Sequence, residues 1–349
     1  MPRPFRVGLT RDFLKPDGTM GFGDIGLDAL DRAPGVEWEF LAENTPELRA
    51  DQVRGYDALM VLAPRVTAAT LAGADRLALV ARFGVGYDSV DVPACTGNDV
   101  LLTITPDAVR RPVAVAVLTL MLALTHRLLQ KDRLTRAGRG WAEKLGYMGQ
   151  GVTGRTLGII GLGNIGRDVV NLARPLGMRF LAFDPYLTPE QAAAAGAELV
   201  DLETLLRRSD YVTVNCALTP ATRHLLNRER LALMKPTAYL INTARGEIVD
   251  QQALYEALRD GVIAGAGLDV FEREPVDPSD PILTFDSVIV TPHGICWTDE
   301  CFLGNGRSCC EAILDVAAGR APRHVVNRDA LERPGVKAKL AAYRERAAG

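Results

Sequence analysis

At 349 residues and 48% hydrophobic side chains the chain holds enough apolar material for two cores, and about 150 residues per domain makes two domains the expectation. The 40 Lys and Arg against 43 Asp and Glu leave a net charge of −3, which offers no basic footprint for nucleic acid or an anionic membrane. With 33 Gly and 20 Pro, ordinary shares for a turn-rich chain, collagen and bulk disorder are excluded too.

The N-terminus meets Arg11 and Asp12 before any signal-type apolar segment develops. The longest apolar run, Val113–Leu124 with Thr119 inside it, falls short of the ~20 residues that cross a bilayer. A cytoplasmic protein with no membrane partner is therefore expected. The six cysteines (95, 216, 296, 301, 309 and 310) include no CxxC pair, and reduced thiols are expected. His293, Cys296, Cys301 and Cys309 match no zinc spacing, so no metal is expected.

Strands are predicted at Phe5–Leu9, Val36–Leu41, Asp57–Leu62, Leu79–Phe83 and Val100–Thr103. Between them Thr45–Val53 and Thr67–Gly73 read as helices, each opened by a Thr in capping position. Strands alternating with helices imply βαβ units and a parallel sheet. A long helix is predicted from Arg111 to about Ala137, with Pro112 in its first turn. After a Gly-rich patch around Trp141 a second alternation begins, with strands at Thr156–Ile160, Arg179–Phe183, Tyr211–Asn215, Ala238–Asn242, Ile263–Leu268 and Ser287–Val290. Six strands with their helices suffice for a complete doubly wound sheet. A helix from about residue 297 to Gly319 follows, and the charged, Ala-rich segment from Glu332 reads as a surface tail.

Residues 156–166 run an apolar strand into Gly161-x-Gly163-x-x-Gly166, with an amphipathic helix behind it. Gly161 serves a tight turn, Gly163 lets backbone approach a pyrophosphate, and Gly166 lets the helix sit close to the strand. The helix N-terminus then offers unpaired N–H groups to the phosphates. The next strand ends in Asp184, 18 residues after the last glycine, where a ribose-binding acid belongs. A carboxylate there accepts from the ribose hydroxyls and repels a 2′-phosphate. Pro185 and Tyr186 follow with no Arg or Lys, which favours NAD over NADP.

Arg245, Glu274 and His293 fall at or just after the C-terminal ends of predicted strands of the same sheet, the edge where open α/β sheets bind ligands. Together with Phe83-Gly-Val-Gly-Tyr-Asp88, the GxGxxG and its Asp184, and Leu218-Thr-Pro-Ala-Thr-Arg-His224, these segments closely resemble the D-isomer-specific 2-hydroxyacid dehydrogenase family. The resemblance spans roughly Arg82 to Asn327, with 29 residues from Arg245 to Glu274 and 19 more to His293.

That resemblance implies an α/β fold of two doubly wound parallel-sheet domains, a Rossmann NAD-binding domain (108–295) inserted into a flavodoxin-like substrate domain (1–107 and 296–330), with 331–349 as tail. It implies NAD-dependent hydride transfer at C2 of a small anionic 2-keto or 2-hydroxy acid. Arg245 would grip the carboxylate and His293 would exchange the proton, with Glu274 orienting the ring. Beyond Gly161, Gly163, Asn164, Ile165, Gly166 and Asp184, it places Cys216, Ala217 and Thr222 at the cofactor. Thr243, Ala244, Arg245, Asp269, His293 and Gly294 join them there. The backbone of Val85 and Gly86 would meet the substrate carboxylate, and homodimerisation with Trp141 in the arm is the family habit.

Two features depart from the family pattern. A glutamate usual at the start of the hinge helix is replaced by Val115, with Arg110 and Arg111 just before it. Two arginines at a helix N-terminus oppose the macrodipole, so one of them is a candidate for a second acidic group on the substrate; the alternative is a solvated pair or a salt bridge across the hinge. After His293, Gly294-Ile-Cys-Trp297 places an indole where small residues are common, and Trp297 is a candidate pocket wall or a core residue at the domain junction. Alternatives to hydroxyacid chemistry are an NAD(H)-binding sensor of corepressor type and a formate- or phosphite-type dehydrogenase on the same scaffold. The formate reading is weakened by Glu274, where Gln is typical.

Overall fold

The computed structural model describes residues 3–348. The chain divides into two compact units, 1–109 with 297–349 and 110–296. The first unit is built on five parallel strands, β1 (Phe5–Leu9), β2 (Val36–Phe40), β3 (Ala58–Val61), β4 (Leu79–Arg82) and β5 (Leu101–Thr103). Their order is β2-β1-β3-β4-β5, the flavodoxin-like arrangement. Leu59, Val61, Val80 and Leu102 are buried against Leu41, Val53 and Leu71, which gives this unit its own core.

The second unit has seven parallel strands: β6 (Thr156–Ile160), β7 (Arg179–Phe183), β8 (Glu198–Leu199), β9 (Tyr211–Val214), β10 (Tyr239–Asn242), β11 (Gly265–Leu268) and β12 (Val288–Val290). Their order, β12-β11-β10-β9-β6-β7-β8, reverses direction beside β6, which makes the mouth of β6 the switch point where such sheets bind ligands. β8 was not predicted. Two residues with a half-exposed Leu199 carry no readable alternation.

The predicted helix from Arg111 to Ala137 is two helices, Pro106–Thr125 and Leu128–Arg136. Arg127 takes a left-handed conformation (φ 51), and the Thr125 carbonyl accepts from the Gln150 N–H at 2.9 Å instead of continuing the helix. Because the first helix starts at Pro106, Pro112 lies inside it and Arg110 and Arg111 stand in its second turn. The dipole penalty expected for them is therefore largely absent. This helix is long and apolar enough to span a bilayer, and half of that stretch is buried. Ala114, Val117, Leu120 and Met121 pack against β6 and β9 side chains as a core helix does.

Thr67 caps its helix by accepting from Thr70 N–H, as predicted. Thr45 does not cap: the helix begins at Ala50 after Arg49, and the Thr45 hydroxyl bonds Gln52 instead. The expected surface tail is a docked helix, Pro334–Ala348, that belongs to the first unit. Val336 and Tyr343 are buried, Arg333 pairs with Asp99 at 2.6 Å, and Tyr343 donates to Asp57 at 3.0 Å.

Candidate active site

β6 delivers the chain into Gly161, whose φ of +92 closes the turn. A Cβ on Gly161 would lie 2.8 Å from Cys216 N, so the end of β9 presses directly on this turn. A Cβ on Gly166 would lie 2.3 Å from Gly161 O, which is the close helix–strand approach anticipated above. Gly163 differs, since nothing among the described residues stands within 4 Å of its Cβ position. It also opens the helix Asn164–Ala173 with no side-chain cap, leaving the first-turn N–H groups to an anion. Asp184 is held at the mouth by N–H groups of Leu162 and Tyr186, both at 3.0 Å, with lone pairs remaining on both oxygens. At the end of β10 the Thr243 hydroxyl is buried with no hydrogen-bond partner among the described residues. An open glycine, an uncapped helix, an anchored carboxylate and an orphaned hydroxyl fit a dinucleotide.

Among the other expected cofactor contacts, Cys216, Ala217 and Thr222 share the loop after β9. There Thr222 is already engaged, donating to Ala217 O and accepting from Thr219 N–H, both at 2.7 Å. Burial pushes the Cys216 thiol up to about 11, so it stays a neutral lining group.

Arg245, Glu274 and His293 follow β10, β11 and β12, three neighbouring strands. Asn242, 1% exposed, shapes the first loop by accepting from Ala244 N–H (3.1 Å) and donating to Arg245 O (2.9 Å). Gly246 then lies so close to the next loop that a Cβ would fall 1.9 Å from the Phe271 carbonyl carbon. That contact seats the arginine loop against the glutamate loop, where Phe271 N–H donates to Glu274 Oε1 at 3.0 Å. The other carboxylate oxygen of Glu274 stands 2.7 Å from His293 Nδ1.

Asp269 anchors the histidine loop. One oxygen of this 2%-exposed carboxylate accepts from the Thr291 hydroxyl (2.7 Å), Gly294 N–H (2.9 Å) and Ile295 N–H (3.1 Å). His293 itself takes a φ of +50, with its N–H on Asp269 O at 2.8 Å. A carboxylate only accepts, so Nδ1 carries the hydrogen toward Glu274 and the exchangeable proton sits on Nε2.

The hydrogen bond to Glu274 raises the His293 pKa above its ordinary 6.5, against the cost of burial and the nearby Arg245 charge. Burial works against the Glu274 carboxylate most strongly, yet the bonds from His293 and the Phe271 N–H hold it below its ordinary 4.5.

Arg110 and Arg111 both turn to Asp168 on the glycine-motif helix, each with Nε 3.4 Å from the same buried oxygen. Val85, Gly86 and Trp297 belong to the first unit. Gly84, with φ +132, starts the Gly-x-Gly turn and exchanges hydrogen bonds with Thr105, both at 3.0 Å. Trp297 is half-exposed and packs edge-on to Phe22 (5.2 Å) and Phe302 (5.5 Å). Sequence reasoning missed a second contact, His224 Nε2 to Glu272 at 2.7 Å, which joins the Thr222 loop to the segment carrying Glu274. It also missed the contact made by Gly246. The available signal was the place of His224 at the end of the Leu218–His224 motif and of Gly246 beside Arg245.

Residues 118–294 match the family described as D-isomer specific 2-hydroxyacid dehydrogenase, NAD binding domain. The chain is 36% identical over 299 residues to a glyoxylate reductase of Korarchaeum cryptofilum, covering 84% of this chain and 90% of that protein. It is 41% identical over 286 residues to a D-3-phosphoglycerate dehydrogenase of Methanocaldococcus jannaschii, covering 81% of this chain and 54% of that longer protein. Among solved structures, a glyoxylate reductase from Paecilomyes thermophila superposes with a TM-score of 0.78 at 26% identity, covering 94% of this chain and all of that one. With the motif order and the strand-end geometry, these likenesses make the chain a member of the D-isomer-specific 2-hydroxyacid dehydrogenase family and an NAD-dependent oxidoreductase.

Proposed function

We propose that this protein reduces a small 2-keto acid to the D-2-hydroxy acid with NADH, using Arg245 to bind substrate and the His293–Glu274 pair as acid and base. The observation that carries this reading is the 2.7 Å contact of His293 Nδ1 with Glu274, on strand ends adjacent to Arg245. Reduction adds a hydride to C2 and a proton to the carbonyl oxygen. Bound NADH supplies the hydride; Gly163, the N–H groups of Asn164 and Ile165, Asp184 and Thr243 would hold it. Arg245 offers a planar, permanently charged fork to the carboxylate and polarises the carbonyl. His293 Nε2 gives its proton to the forming alkoxide, and Glu274 keeps the ring protonated and oriented until it does.

Following NADH absorbance with glyoxylate, hydroxypyruvate, oxaloacetate, 2-oxoglutarate and phenylpyruvate tests the reading. Turnover on at least one is expected. NADH binding without turnover on any of them would favour a sensor of corepressor type. The ion pairs of Arg110 and Arg111 with Asp168 favour the salt-bridge alternative, and a second acidic group on the substrate would have to share these guanidinium groups with that carboxylate. Arg110→Ala and Arg111→Ala are then expected to lose activity equally on di-acidic and mono-acidic keto acids, and a larger loss on the di-acidic ones would point to that second group. The homodimer is supported by Trp141, Leu145 and Met148, each about four-fifths exposed on one short segment. Sedimentation at two concentrations checks it.

A further inference from the structure

At the N-terminal edge of the five-stranded sheet, opposite the edge that carries Gly84–Gly86, the segments entering β1, β3 and β4 meet the helix Pro334–Ala348 around a pocket of about 180 Å³. That is smaller than the ~300–1,000 Å³ that drug-sized ligands occupy, so the space suits a small ion.

The charges around it do not cancel. Among the lining residues Arg3, Arg76, Lys339 and Arg346 outnumber Asp57 and Asp75, and Asp99, the other carboxylate near Lys339, is paired with Arg333 at 2.6 Å. Asp57 is 1% exposed and already saturated. It accepts from Arg6 N–H at 2.6 Å, from the Tyr343 hydroxyl at 3.0 Å and from the Nε and Nη2 of Arg76. Lys339 is likewise spent, donating to the carbonyls of Leu77, Asp99 and Asn98.

Two donors remain. The Nη1 atoms of Arg76 and of Arg346 are buried with no hydrogen-bond partner among the described residues, and both residues line this pocket. The Arg346 guanidinium stands 5.4 Å over the ring of Tyr343, whose hydroxyl shares Asp57 with Arg76. The two orphaned groups therefore flank one side chain. A buried cationic N–H without an acceptor is costly, and one ion with several acceptor oxygens would satisfy both.

We propose that this pocket is an anion site for a phosphate group, free or as a monoester, held by Arg76 Nη1 and Arg346 Nη1 with exposed Arg3 at its rim. Four cations over two carboxylates leave two positive charges, which match a phosphate dianion better than a single carboxylate. Guanidinium forks suit its tetrahedral oxygens. The lining residues all belong to the first unit and Arg245 to the second.

The test is isothermal titration calorimetry on the full chain at constant ionic strength, with inorganic phosphate in one arm and glycerol 1-phosphate in the other. Saturable binding of either is expected, and the tighter of the two names the source. Arg346→Gln and Arg3→Gln should each weaken it about tenfold or more while NADH turnover of a 2-keto acid stays unchanged. Arg76 is left intact because it also pairs with buried Asp57. Arg245→Gln should leave phosphate binding as in the wild type. No saturable heat in either arm overturns the proposal. So does binding that survives Arg346→Gln and Arg3→Gln but disappears in Arg245→Gln, which would assign the anion to the candidate active site.

Discussion

Two histidines meet two glutamates at the same distance, 2.7 Å, and the two acids are neighbours but one in sequence: Glu274 with His293, and Glu272 with His224. The contacts differ in which edge of the ring they use. Glu274 takes Nδ1 of His293, which leaves Nε2, the far edge of the ring, as the atom the proposed reaction uses. Glu272 takes Nε2 of His224, so the reactive edge is committed to the fold. Glu272 is tied further, since its backbone N–H and its carboxylate both bond Gln251, at 3.0 and 3.2 Å. In the proposed reaction the first pair exchanges a proton, and the second clamps the loop on which the first depends.

The largest separation between the pairs is expected in turnover. His293→Ala should lower kcat/KM about 10²- to 10⁴-fold, the usual worth of a general acid, and comparable losses in His224→Ala would erase the distinction. Glu274→Gln should cost less, about ten- to a hundredfold, because the imidazole remains. Its signature is the pH profile of reduction. The proton donor persists below the raised His293 pKa and is lost as pH rises through it. Without the carboxylate, the high-pH limb should therefore move down toward the ordinary value of 6.5. A limb that stays in place would assign it to another group.

Gly246→Ala probes the backbone contact that both loops share. Overpacking there should destabilise the fold by about 1–3 kcal/mol in urea unfolding and raise KM through a displaced Arg245. The smallest effect belongs to His224→Gln, which keeps a donor for Glu272. A change of less than about threefold in kcat, with the pH limb unmoved, is expected from steady-state kinetics.

Much of this was legible in the sequence because it is local. The strands announce themselves as apolar runs, and the glycine motif needs only neighbours within a dozen residues to declare its turn. Arg245, Glu274 and His293 could be placed at strand ends without knowing what held them there. What stayed hidden depends on partners far along the chain. Asp168 lies 57 to 58 residues from the arginines that meet it, and Asp57 lies 286 from Tyr343, so neither contact leaves a periodic trace. The break at Arg127 depends on a carbonyl captured by Gln150, which no helix propensity encodes.

The docked last helix has a consequence for how the molecule is made. The first five strands leave the ribosome early, but Cys301, Phe302 and Ile313, buried in the same unit, and the hydroxyl that meets Asp57 come from residues beyond 297. Synthesis of the intervening unit takes roughly ten to forty seconds at ~5–20 residues per second. For that interval the sheet waits with its buried acid lacking the Tyr343 hydroxyl and part of its apolar surface uncovered. The inserted unit, by contrast, is continuous in the chain and can close on itself as soon as it emerges. Birth order thus reverses sequence order: the middle of the protein is finished before its beginning.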